Sequence, residues 1–196
     1  MDYFQLILAL CMGISLSAAC GFRVFVPLLV VSLAVHFGGL GVNETFAWVG
    51  SDTALICLGV ATLVEVLAYY IPMVDHALDA VNTPLALVAG TVITCGMLPE
   101  MPDYVQWGIG VVGGAGAAGT IQAGTAALRG ISTATTGTLG NPILATLENI
   151  FSVLGALLAI VVPVVALIGL LLMGFIIYRI VRRLRRRRRP QVAPAT

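Results

Sequence analysis

Between Pro142 and Tyr178 the chain runs for 37 residues with a single charged side chain, Glu148, and then turns abruptly basic. As one helix that run would reach about 55 Å, nearly twice the ~30 Å hydrocarbon core of a bilayer. It is therefore two passes, with the break expected between Gly155 and Pro163, because proline suits the first turn of a new helix and not the middle of an old one. Arg179, Arg182, Arg183 and Arg185 to Arg189 follow, which puts eight of the ten basic residues within eleven positions. By the positive-inside rule, such a tail holds that end of the chain on the cytoplasmic face of a membrane.

The rest of the sequence agrees with a membrane solvent. It is 59% hydrophobic and 10% charged, far from the roughly 25% charged residues of soluble domains. An all-α polytopic membrane protein with no soluble domain of useful size is expected, and its function then lies within the bilayer. Ahead of the tail stand two arginines, no lysine and nine carboxylates, a balance that argues against nucleic acid as a partner. Cys11, Cys20, Cys57 and Cys95 lie in apolar stretches without CxxC spacing, so they are expected to be small packing residues. The acid of Met1-Asp2-Tyr3 and the long apolar run after it do not fit a cleavable signal, and the first helix is expected to be retained.

Apolar segments cover about Tyr3 to Phe37, Ala54 to Ile71, Pro84 to Leu98, Val105 to Leu128 and the double run Pro142 to Tyr178. Taken as six transmembrane helices with both ends cytoplasmic, they leave Glu44, Asp52, Glu100 and Asp103 outside, with Arg129 and the arginine tail inside. The first segment is too long for a simple pass, and Gly21, Arg23 and Pro27 near its middle predict a kinked or broken helix. Pro84, Asn141, Pro142 and Pro163 mark further breaks or helix starts. The halves also echo each other: Ala61-Thr-Leu-Val-Glu65 then Pro84-Leu-Ala-Leu-Val-Ala-Gly90, against Ala145-Thr-Leu-Glu148 then Pro163-Val-Val-Ala-Leu-Ile-Gly169. Three helices per half would make two inverted repeats, 1–104 and 105–178, followed by a cytoplasmic arginine-rich tail at 179–196.

Charged groups inside such segments need partners, since an acid at membrane depth costs at least about 3 kcal/mol. Glu65 and Glu148 are thus site candidates, although Glu148, near a helix start, could instead complement the helix dipole. Arg23, the only basic residue in the first 128 apart from histidine, needs a carboxylate, carbonyls or an anionic ligand; Glu65 or Glu148 is the obvious partner, and a purely structural ion pair is the alternative. In Ile71-Pro-Met-Val-Asp-His-Ala-Leu-Asp-Ala-Val-Asn-Thr-Pro84, Asp75 and Asp79 fall at i and i+4 with His76 beside the first. That trio could bind a cation or relay protons, or could be an ordinary loop. Gln122 and Thr120 could line a polar path. Gly113-Gly-Ala-Gly-Ala-Ala-Gly119 lacks the strand that a dinucleotide site requires, and close helix packing explains it better. No catalytic motif is apparent, so neither an enzyme nor a cofactor is expected, and no metal is assigned.

The block from Glu65 to Pro84, with Gly21-Phe-Arg23, Pro27, Gly140-Asn-Pro142 and Glu148, resembles bacterial integral-membrane proteins grouped as domain of unknown function 4126. The resemblance covers roughly Leu6 to Leu172 and implies a multi-pass protein of the bacterial inner membrane. The family often carries a basic or histidine residue near the place of Gln122, and an acidic pair where this chain has Glu148-Asn149. It implies no activity.

The residues themselves suggest a small transporter or channel, with a cation or proton-coupled solute favoured because carboxylates outnumber Arg23. The alternatives are a lipid-handling protein that binds a phosphate head group, or a non-transporting scaffold. Anionic lipid at the arginine tail and a homo-oligomer packed through glycine and alanine faces complete the expected partners.

Overall fold

The computed structural model describes residues 3–71, 74–137 and 139–187; side chains at 75, 76, 181 and 184–187 fall outside that description. The described residues are helical almost throughout: α1 Tyr3–Cys20, α2 Phe25–Gly38, a 3₁₀ helix Glu44–Gly50, α3 Asp52–Ala68, α4 Val74–Met97, α5 Asp103–Ile109, a π-helical turn Gly110–Ala115, α6 Gly116–Thr136, α7 Asn141–Val161 and α8 Pro163–Arg187. Four helices are long and apolar enough to cross a membrane, or five if the 3₁₀ helix and α3, bent by 65°, count as one span.

Local chemistry sets the ends. Ser51 caps α3 by accepting from the Ala54 amide at 3.2 Å, with Asp52 in the first turn to complement the dipole. α2 and α6 stop at Gly39 and Gly137, both left-handed at φ 66° and 60°, which glycine adopts without a Cβ penalty. Val162 leaves the helical region, and α8 restarts on Pro163, as expected for the break in the long apolar run. Asn141 and Pro142 likewise open α7.

Pro84 departs from expectation. It lies inside α4, which starts ten residues earlier, so the polar run Asp79 to Thr83 is helix rather than a loop leading to a proline start. Thr83 folds its hydroxyl back onto the Asp79 carbonyl at 2.7 Å, and neighbouring helices consume the other polar groups of this stretch. Burial of polar partners thus outweighs the amide that proline removes.

The first 35-residue run is broken where expected, at Gly21, and its two parts fold back on each other as separate helices. Gly13 of α1 lies against Thr94 and Met97, and Ser17 bonds the Gly90 carbonyl, so α1 runs antiparallel to α4. α2 starts beside Glu65 and ends where Ser32 and His36 meet the Val49 and Gly50 carbonyls, so it runs back along α3. Four residues, Gly21 to Val24, make the reversal, and Pro27 sits harmlessly in the first turn of α2. A Cβ at Gly21 would sit on the Ala118 carbonyl oxygen and 2.6 Å from Ile121 Cβ, which is why the turn can press against α6.

α5, the π turn and α6 form one continuous path antiparallel to α4, with Gln106 beside Cys95 and Arg129 beside Asp79. α8 lies parallel to α6, with Ile177 facing Gly124. The described helices therefore alternate in direction through α1, α2, α3, α4, α5–α6, α7 and α8. The start of α1 and the arginine end of α8 lie at opposite ends of the bundle. α2, at 14 residues, is shorter than the helices long and apolar enough to cross a membrane.

Small residues bring the central helices into contact. A Cβ at Gly90 would lie 2.7 Å from the Gly114 carbonyl, and one at Gly114 would lie 2.5 Å from Thr94 Oγ1. Gly90 and Gly114 thus serve close packing within the chain. Ala86, Ala118, Ala156 and Ala159 share the main core with Leu16, Val31 and Ile93. Large apolar residues of α3 and α8 such as Ile56, Leu63, Ile168 and Leu171 are exposed, the inside-out pattern of a protein solvated by lipid. Cys20 and Cys95 are buried as expected, but Cys57 is on the exposed face of α3.

Candidate functional site

Polar side chains of four helices and the α1–α2 turn converge at the end of the bundle where α3 and α6 finish and α4 and α7 begin. Each contributor is placed by helical spacing: Glu65 and Tyr69 at i and i+4, Asp79 and Asn82 at i and i+3, Ala145, Glu148 and Asn149 at i, i+3 and i+4. Arg23 comes from the turn between α1 and α2.

Two arginines share one glutamate. Arg129 Nη1 donates to Asp79 and its Nη2 to Glu148, while Arg23 Nη2 lies 3.5 Å from the same Glu148 oxygen. Arg23 also donates through Nε to Asn149 Oδ1 at 2.5 Å and through Nη2 to the Ala145 carbonyl at 3.3 Å. Tyr69 joins the arginines: the guanidinium carbons of Arg23 and Arg129 stand 3.6 and 4.3 Å from its ring centroid, a cation–π geometry. Its hydroxyl donates to Asp79 Oδ1 at 3.1 Å and accepts from Asn82 at 3.0 Å.

Glu65 plays a different part. Its two oxygens accept from the Val24 and Phe25 amides at 2.8 and 3.0 Å, and Asn82 Nδ2 adds a third bond at 3.1 Å. A carboxylate on α3 thus serves the otherwise unpaired first amides of α2 and the positive end of its dipole. It makes no ion pair with Arg23, whose acidic partner is Glu148. Glu148, eight residues into α7, lies beyond the first turn and complements arginines rather than its own helix dipole.

The network is buried except at Asp79: Arg23 and Arg129 are each 1% exposed, Glu65 3% and Glu148 5%, whereas the Asp79 side chain is 14% exposed. Among these side chains three carboxylates face two guanidinium groups, so the fully ionised set holds one acid in excess. Two buried donors, Arg23 Nη1 and Arg129 Nε, have no hydrogen-bond partner among the described residues.

Of the expected residues, Arg23, Glu65, Asp79 and Glu148 meet here. Asp75 and His76 are on α4, but their side chains fall outside the described set. Gln122 is buried two turns before Arg129 on α6, against Gly21, and is not bonded to the network. Arg129 overturns its placement in an exposed inner loop: it is helical, buried and central. Its signal was the polar stripe Gln122, Thr125, Arg129 at i, i+3 and i+7, set in residues with no breaker before Gly137. Tyr69, Asn82 and Asn149 were also missed as site members, although each stands within four residues of an expected acid. No group of three or more metal-ligating side chains occurs among the described residues.

The family model for a domain of unknown function (DUF4126) matches residues 10–183. The chain belongs to that family. The match takes in every residue of the charge network of this DUF4126 protein, from Arg23 to Asn149. No curated protein and no solved structure matches the chain.

Proposed function

We propose that this DUF4126 protein is a small membrane transporter or channel for an ion or small solute, with the Arg23, Asp79, Arg129 and Glu148 network closing its pathway at one end. The observation that carries this reading is the excess of one carboxylate over the arginines in a cluster exposed only at Asp79, a place where a proton or a small cation can add and loosen the ion pairs. The opposite end supports it with a pocket of about 340 Å³ lined by Gln5, Glu44, Met97 and Glu100. Acids of the exposed turns, Glu44, Asp52, Glu100 and Asp103, stand at that end and the arginines of α8 at the other, so the network end would be cytoplasmic.

The inverted repeat enters as part of the proposal. α3 and α7 run in opposite directions, as do α4 and α8, in keeping with units 1–104 and 105–178. The passage that could match α5–α6 is α2, since α1 runs the same way as α6.

A second reading rests on the pairing itself. Every described ionisable group of the network has a partner within the chain, as a static lock in a non-transporting scaffold would require. Flux measurements in liposomes separate the two, with wild type beside Glu65→Gln, Arg23→Ala and Glu148→Gln. Proton or ion flux that is lost in inserted, folded variants supports the pathway. Absence of flux for protons and for common cations and anions in wild type refutes it in favour of the lock.

A further inference from the structure

The arginines that begin the basic tail sit on α8, and among the described residues they make no ion pair. α8 continues past its apolar residues to Arg187. Ala166, Leu170 and Ile177 turn inward and are buried. Phe175, Ile176, Arg179, Ile180, Arg182 and Arg183 line a single concavity of about 740 Å³ on the other side, and all six are exposed. Arg182 leans toward the Tyr178 ring, its guanidinium carbon 5.9 Å from the centroid.

Arg179 stands at i+3 and i+4 from Arg182 and Arg183, and like charges at those spacings weaken a helix. The helix dipole offsets part of that repulsion at a C-terminal end. No carboxylate follows Glu148 in the sequence, and Glu148 is already held by Arg23 and Arg129. Among the described residues these arginines make no ion pair, and an anion from outside the chain can meet their charge. Chemistry also changes along the concavity: Phe175 and Ile176 are apolar, and the arginines begin one turn later. From Phe175 to Arg183 the rise is about 12 Å. An apolar lower half and a cationic upper half fit an acyl chain below a phosphate.

We infer that the outer face of α8 from Phe175 to Arg183 is a binding site for a phospholipid with an anionic head group. The site does not depend on transport, and it differs from diffuse attraction of the whole tail because Arg179 and Arg183 carry it rather than the arginines beyond 187.

The test uses the full chain in nanodiscs made from equal parts of phosphatidylcholine and phosphatidylglycerol, released for native mass spectrometry to count retained lipids. Wild type is expected to retain phosphatidylglycerol selectively. Arg179→Gln/Arg183→Gln should lose that preference, roughly fivefold per arginine, while Arg188→Gln/Arg189→Gln keeps it. Millimolar inorganic phosphate should leave the lipid in place. Equal retention of both lipids overturns the site, as does an equal loss in the two paired variants, which would show surface charge alone. Displacement by inorganic phosphate would also overturn it, because the apolar half would then contribute nothing.

Discussion

Replacing Glu148 with glutamine puts a magnitude on the buried network. The carboxylate serves both guanidinium groups, contacting Arg129 and lying 3.5 Å from Arg23. Arg129 would keep Asp79, and Arg23 would keep the Asn149 oxygen and the Ala145 carbonyl. Removing one member of a buried pair costs about 3–5 kcal/mol. Here the acids outnumber the arginines by one, so neutralising Glu148 leaves two acids for two arginines, and the low end, about 3 kcal/mol, is expected. In a double-mutant cycle with Arg129→Gln, the second substitution should then cost less than it does alone, with a coupling of about 1–3 kcal/mol. Unfolding by sodium dodecyl sulfate in mixed micelles, followed through Trp48 and Trp107, measures both quantities. A Glu148→Gln loss below about 0.5 kcal/mol, with additive singles, would refute the claim that this carboxylate joins the two arginines.

Three further outcomes are expected. Gly21→Ala should lose about 1–3 kcal/mol, because the new methyl meets the α6 backbone, whereas Gly59→Ala, with nothing within 4 Å, should be neutral or slightly stabilising in the same unfolding assay. Pro84→Ala should not lower the unfolding midpoint, since it restores a backbone donor inside α4; a clear loss would mean that the proline shapes the helix. Reporters placed before Tyr3 and after Arg187 should be reached from opposite sides of the membrane if every passage, the 14-residue α2 included, crosses it, and labelling of both from one side would show that one of them does not.

What the sequence made legible depended on whether a signal was local. The all-helical class, the Pro163 restart and the packing role of the glycine run follow from composition and helix-end chemistry, and the structure has them. The reversal at Gly21 to Val24 was not legible, because it depends on a carboxylate forty residues away that accepts from the first amides of α2. Arg129 was misplaced for a related reason. Its segment is rich in glycine, serine and threonine, which mark loops in water, but Thr125, Thr135 and Thr136 return their hydroxyls to carbonyls of their own helix, and Arg129 itself is paired by α4 and α7. Four of the seven expected site residues still converge, since an isolated charge in an apolar segment has few places to go.

The π-helical turn Gly110–Ala115 carries a consequence for insertions and deletions. Gln106 and Arg129 both bond to α4, through Cys95 and Asp79. They are 23 positions apart, which in an unbroken α-helix would leave their side chains about 140° apart around the axis. A π turn absorbs about one residue, reducing the angle to about 40° and turning both toward the same neighbour. The turn is therefore a phase adjustment, and its extra residue is the one the chain could gain or lose most readily. A single deletion among these glycines would relax the segment to α-helix with Gln106 and Arg129 still about 40° apart, so the charge network would keep its register, whereas straightening the turn without a deletion would rotate Arg129 by about 100° away from Asp79.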